Sequence, residues 1–181
     1  MRFFFGSKIE RVVVAASEIT PAIIRFSAMS LLALREHSVH ELRHKLLQKF
    51  IDLDGFGSTD SSHLQESIAV VIKNLSTDGL QSDARFTEAF ITMRQRQGKG
   101  PLIVRMELRE RGIDSEMILN SISVCDPVWN QIAKKVFVKK FGDPAANNIK
   151  QVSKQTRFLV SRGFSAANIQ HVLNAAAQAF E

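Results

Sequence analysis

A chain of 181 residues is long enough for one sizeable domain or a few small repeats that share a core. Its hydrophobic content of 45% and mean hydropathy of −0.03 argue against disorder, and no apolar run approaches the roughly 20 residues of a membrane span. A net charge of +6 and a pI near 9.8 point to an acidic partner, nucleic acid or nucleoprotein, and the lone Cys125 excludes an internal disulfide and fits a reducing, cytoplasmic compartment.

Residues 1–20 read as a lead-in. Met1-Arg-Phe-Phe-Phe resembles the start of a signal peptide, but Lys8, Glu10 and Arg11 interrupt the apolar stretch and reject it. Val12-Val13-Val14 has strand propensity and no partner strand nearby. A first helix is expected over Pro21–His37. Ser38-Val39-His40-Glu41 then forms a capping box, in which Ser38 accepts from the Glu41 amide and the Glu41 carboxylate returns to Ser38. The second helix runs to about Ile51, followed by a polar, glycine-rich loop over 52–61. Ser62-His63-Leu64-Gln65 is a second capping box. It opens a third helix with Leu64, Ile68, Val71, Ile72 and Leu75 at helical spacing, closed at Asp78-Gly79.

Ser82-Asp83 caps a fourth helix whose Phe86, Ala89, Phe90 and Met93 share a face. Gly98 and Gly100 break it. Pro101 opens the fifth helix at the one position where a missing N–H costs nothing, and Gly112-Ile113 closes it in a Schellman-type end. The stretch Arg94–Ile113 sets six bases against two acids. Asp114 caps a short helix through Met117, Ile118 and Ile122, ending near Cys125, which is expected to be buried and a poor nucleophile. Asp126-Pro127 opens the helix carrying Trp129, Ile132, Ala133, Val136 and Phe137 on one face, with Lys135 and Lys139 on its flank. Gly142 ends it. Asp143-Pro144 starts a helix to Arg162, Gly163-Phe164 repeats the Gly112-Ile113 ending, and Ser165 caps a last helix with Ile169, Val172, Leu173, Ala176 and Phe180 inward. Trp129 and the phenylalanines could stack bases, but most sit at core spacing and are assigned to packing.

The helices fall into threes. The middle helix of each triplet ends alike: Lys45-Leu46-Leu47-Gln48-Lys49-Phe50, Glu107-Leu108-Arg109-Glu110-Arg111-Gly112 and Phe158-Leu159-Val160-Ser161-Arg162-Gly163 align, with a leucine second and a base fifth. This predicts an all-α protein of three tandem three-helix repeats, over 21–79, 80–125 and 126–181. One such unit alone would bury too little apolar surface, whereas stacked units share a continuous core.

His40-Glu41-Leu42-Arg43-His44 matches the H-E-x-x-H pattern of zinc proteases. Glu41 is already used by the capping box, His40 lies in the first helical turn, and no third ligand is evident beyond a remote Glu66 or His63. No metal, cofactor or catalytic residue is therefore expected.

Five blocks in order carry a family resemblance: Arg35-Glu36-His37-Ser38-x-x-Glu41-Leu42-x-x-Lys45-Leu46, Asp83-x-Arg85-Phe86, Gly98-Lys99-Gly100-Pro101, Glu107-Leu108-x-x-Arg111-Gly112-Ile113, and Lys154-x-x-Arg157-Phe158-Leu159-x-x-Arg162-Gly163-Phe164. From about Leu32 to the C-terminus the chain resembles RecX. The resemblance implies an elongated, curved helical array that is not an enzyme. It implies binding to the RecA recombinase, chiefly its filament on single-stranded DNA, and restraint of RecA's ATPase, strand-exchange and co-protease activities.

The candidate contacts to RecA or DNA are basic. Arg94, Arg96, Lys99, Arg105 and Arg109 are expected to form one patch, Lys134, Lys135 and Lys139 a second, and Arg157 and Arg162 to join a concave face. The competing role is intrahelical pairing and solubility, which Glu107 at i,i+4 from Arg111 suggests for Arg111. A monomer is expected. The rival reading is a general helical DNA-binding module without RecA specificity.

Overall fold

The computed structural model describes residues 19–53, 61–142 and 149–178. Among these, every regular element is a helix: α1 (Pro21–Leu32), α2 (Val39–Leu53), α3 (Ser61–Thr77), α4 (Asp83–Arg96), α5 (Pro101–Glu110), α6 (Ser115–Ser121), α7 (Pro127–Phe141), α8 (Ile149–Ser161) and α9 (Ala166–Gln178). The expected lead-in apart from its last two residues, most of the 52–61 loop, the Asp143-Pro144 start and Phe180 lie outside the described residues.

The caps form where short polar side chains precede apolar periodicity. Ser82 Oγ accepts from the Arg85 amide at 3.3 Å, Asp114 from those of Glu116 and Met117 at 2.8 and 3.3 Å, and Asp126 from that of Val128 at 2.9 Å. At α9, Ser165 Oγ accepts from the Asn168 amide at 3.2 Å, and the Asn168 side chain accepts in return from the Ser165 amide at 3.1 Å. Both Schellman ends form. Gly112 (φ 74°) and Gly163 (φ 82°) lie in the left-handed region, the Ile113 and Phe164 amides bond the Leu108 and Leu159 carbonyls, and both following side chains are buried.

Two local expectations are corrected. Helix α1 stops at Leu32, five residues short of His37, because His37 and Ser38 serve elsewhere. The His37 carbonyl accepts from Gln81 at 3.2 Å, and Ser38 must be extended to cap α2. Cys125 is exposed, as α6 ends four residues before it.

Three clusters of buried side chains follow the triplets. Ile24, Ala28, Leu42, Leu46, Ile68 and Leu75 centre the first, where α1 and α2 both pack on α3. In the second, Phe86, Val104, Leu108, Ile118 and Ile122 are joined by Trp129 from α7, so this core takes in the first turn of the following triplet. The third gathers Ala133, Phe137, Leu159, Phe164, Ile169 and Val172.

Candidate functional site

The three middle helices meet end to end. The C-cap carbonyl of α8, Arg162, accepts from the Gly100 amide at 2.7 Å, and the next carbonyl, Gly163, accepts from the Leu102 amide at 3.0 Å. Pro101 stands between with no N–H to place. These two amides begin α5 and have no partner inside it, so the end of one helix satisfies the start of another. At the other end of α5, the Arg111 carbonyl accepts from Ser38 Oγ, the N-cap of α2, at 2.8 Å. Partial negative charge at each C-terminus therefore faces partial positive charge at the next N-terminus. The order is α8, α5, α2, the reverse of the chain.

The shared base at the fifth position secures these joints. Arg111 reaches into the first repeat, its Nε 3.2 Å from Glu41 Oε1, and its guanidinium lies over the Phe90 ring. Arg162 reaches into the second, donating to the Gln97 and Gly98 carbonyls at 3.4 Å while lying over Phe158. Lys49, the first repeat's equivalent, donates to Ser27 within its own repeat.

Glu41 is the hub of the α5–α2 joint. Beyond Arg111 it holds Arg35 at 3.0 Å and His37 Nδ1 at 3.2 Å. Ser38 does accept from the Glu41 amide at 3.0 Å, but the expected return bond from the carboxylate is not made, since its oxygens face these cations. Around the hub, Arg85 pairs with Glu36 at 2.9 Å and the Val39 amide donates to Asp83 at 2.9 Å.

Burial first, and then nearby Arg35 and Lys45, push the His37 pKa below the ordinary 6.5, against the opposing pull of Glu41. The unfolded chain thus binds a proton, as pH falls through 6.5, that the folded chain refuses. His37 contributes no pH dependence well above 6.5 and destabilises the fold progressively below it. Thermal melts between pH 8 and 5 are expected to show this decline, and His37→Gln to flatten it; an equal slope in the variant would remove His37 as the cause.

The sequence-predicted cations divide into two kinds. Arg94 is held inward, 2.7 Å from Glu107 and over Phe90, so Glu107 pairs with Arg94 rather than with Arg111 as expected. From Glu107, Arg111 takes the backbone carbonyl, while its ion pair is with Glu41. Arg105 donates to the Ile122 carbonyl and ties α5 to the end of α6. Arg162 serves the joint described above. By contrast Arg96, Arg109, Lys134, Lys135, Lys139 and Arg157 are exposed, and Lys99 half-buried, without an ion pair to any described residue. Arg96 lines an open groove with Glu36, Arg85, Glu88, Thr92 and Met93. Lys134, Lys135, Lys139 and Lys140 are all exposed on α7, which contains no acidic residue. Sequence reasoning missed the Glu41 hub and the Asp83 contact, although both residues stand in the blocks that carried the resemblance.

Among the described residues the chain is an all-helical array of three-helix repeats, joined through its middle helices and carrying exposed cations. Residues 82–120 match the RecX second three-helix domain and residues 130–173 the third. The chain is 36% identical over 155 residues to the regulatory protein RecX of Pseudomonas entomophila, covering 86% of this chain and 92% of that one. It is 33% identical to that of Chromohalobacter salexigens, over 88% and 94% of the two chains. A crystal structure of RecX from Lactobacillus salivarius shares the fold, with a TM-score of 0.67 at 16% identity over 87% of this chain and 97% of that one. A second, described as regulatory protein RecX, gives 0.66 at 22% identity over 86% and 73%. The chain belongs to the RecX family of regulatory proteins.

Proposed function

We propose that the protein is a negative modulator of RecA that binds the RecA–single-stranded DNA filament and restrains its ATPase, strand-exchange and co-protease activities in recombination, DNA repair and the SOS response. It works as a cytoplasmic monomer, by steric and electrostatic engagement without covalent chemistry. The supporting observation is the end-to-end spine of α8, α5 and α2 with Arg109 and Arg157 exposed along it and without an ion pair to a described residue. A helical filament repeats its surface at fixed intervals, and a jointed helical array can follow such a repeat.

Titrated onto RecA-coated single-stranded DNA, the protein is expected to lower ATP turnover at substoichiometric amounts; no inhibition at excess rejects the reading. The double reversal Arg109→Glu, Arg157→Glu should leave the melting temperature nearly unchanged, because exposed unpaired charges contribute little. It should weaken inhibition about tenfold or more, equivalent to about 1.4 kcal/mol. Arg105→Glu, which loses the bond to Ile122, should instead lower stability.

The lysine face of α7 supports the second reading, a general DNA-binding module. Tight binding to naked DNA, falling steeply with salt and with no effect on RecA, would favour it.

A further inference from the structure

We propose that the outward ridge running from α8 onto α5 is a docking surface for a protein, one presenting carboxylates on either side of an apolar patch. The proposal rests on the filament reading above and names the chemistry that this ridge would meet there. Along the joint the exposed residues run Arg157, Val160, then Leu102, Met106 and Arg109: a cation, three apolar side chains, a cation. Arg157 and Val160 are three apart on α8. Leu102, Met106 and Arg109 are spaced i, i+4 and i+7 on α5, so each set shares a helical face. Val160 is 57% exposed, Leu102 47% and Met106 48%. The bond from the Leu102 amide to the Gly163 carbonyl brings the start of the α5 face to the end of α8.

The apolar stretch is not a consequence of the repeat. The repeat alignment pairs Leu102 and Met106 with His40 and His44 in α2 and with Ser153 and Arg157 in α8, all polar. Nor does the fold need these side chains, since α5 buries Pro101, Val104 and Leu108 instead. Exposed apolar side chains grouped beside cations mark protein contact, and a methionine adapts to an irregular pocket. Phosphates would be met by cations alone, as on α7. Neither Arg109 nor Arg157 has an ion pair to a described residue, and of the two acids on α5, Glu107 is taken by Arg94. At 1.5 Å rise per residue the ridge is about 20 Å long, enough for one small contact patch.

The test uses Leu102→Ser with Met106→Gln in the full chain, leaving every charge in place. Binding is measured to RecA-coated single-stranded DNA and to the same DNA without RecA. The expected result is a loss of about tenfold or more on the coated DNA, with binding to naked DNA unchanged. Undiminished binding to the coated DNA overturns the ridge while leaving the filament reading standing. An equal loss on naked DNA also overturns it, by making the ridge a nucleic-acid surface. Failure of the wild-type chain to bind coated DNA rejects the filament reading, and the ridge proposal falls with it. Should the double variant melt early, Val160→Asp reads the same surface with the α5 face intact, and the same outcomes apply.

Discussion

Gly163→Ala is expected to destabilise the protein by about 2–5 kcal/mol, a large share of a stability typically near 5–15 kcal/mol. Two costs combine there. Gly163 has φ 82°, in the left-handed region that a side chain disfavours by about 1–2 kcal/mol. A Cβ would also stand 2.6 Å from Ile103 Cγ1 and 2.7 Å from the Ile103 backbone nitrogen. That nitrogen belongs to the first turn of α5, so relief requires parting α5 from α8, and overpacking of this kind costs about 1–3 kcal/mol more. Two other glycines separate the contributions. Gly79 has φ 71° and nothing within 4 Å of a built Cβ, so Gly79→Ala carries backbone strain alone. Gly100 has an ordinary φ of −87°, but its Cβ would lie 2.4 Å from the Gly163 carbonyl and the Phe164 nitrogen, so Gly100→Ala carries crowding alone. Denaturant unfolding should find both joint variants more costly than Gly79→Ala. If Gly163→Ala cost no more than Gly79→Ala, the α8–α5 joint would not be the rigid contact its hydrogen bonds imply.

Those joints also explain what was legible in the sequence. Helix type and order could be read because caps, prolines and glycines mark almost every boundary, and because the apolar spacing is helical throughout. The repeat showed in its shared ending. What the base at the fifth position does was not legible, because its partner lies in another repeat. Arg111 meets Glu41 across seventy residues of chain, and Arg162 meets Gln97 and Gly98. The i,i+4 rule offered Glu107 for Arg111, yet Glu107 faces Arg94 on the neighbouring α4. Likewise, a basic stretch in sequence is not a basic patch in space. Arg94 and Arg105 point to internal partners while Arg96 and Arg109 are exposed, a division set by helix phase against tertiary neighbours. Many of the residues that carried the family resemblance, among them Glu36, Ser38, Glu41, Asp83, Arg85, Gly100 and Gly163, hold the repeats together. A motif of that kind identifies a fold and its joints more directly than it identifies the contact surface.

The same coupling between repeats gives Trp129 its weight. It opens α7, yet its ring packs in the core formed by α4, α5 and α6, only 2% exposed, and its Nε1 donates to the Ser123 carbonyl at 2.9 Å. Trp129→Ala is expected to cost about 3–5 kcal/mol, from lost burial and the cavity left behind. Trp129→Phe keeps most of the volume and loses the hydrogen bond, for about 0.5–1.5 kcal/mol, since the Ser123 carbonyl still accepts from the Asp126 amide at 3.2 Å. Because the chain has one tryptophan and no tyrosine, its fluorescence reports this junction alone. Far-ultraviolet circular dichroism reports all the helices. The two transitions should coincide in the wild-type chain if the shared core and the end-to-end helices make the repeats unfold together. An early fluorescence transition, with helical signal persisting, would mean that the second and third repeats part before either melts. The spine would then be a chain of separable units, and the Gly163→Ala penalty should shrink correspondingly in the helical signal while remaining in the fluorescence.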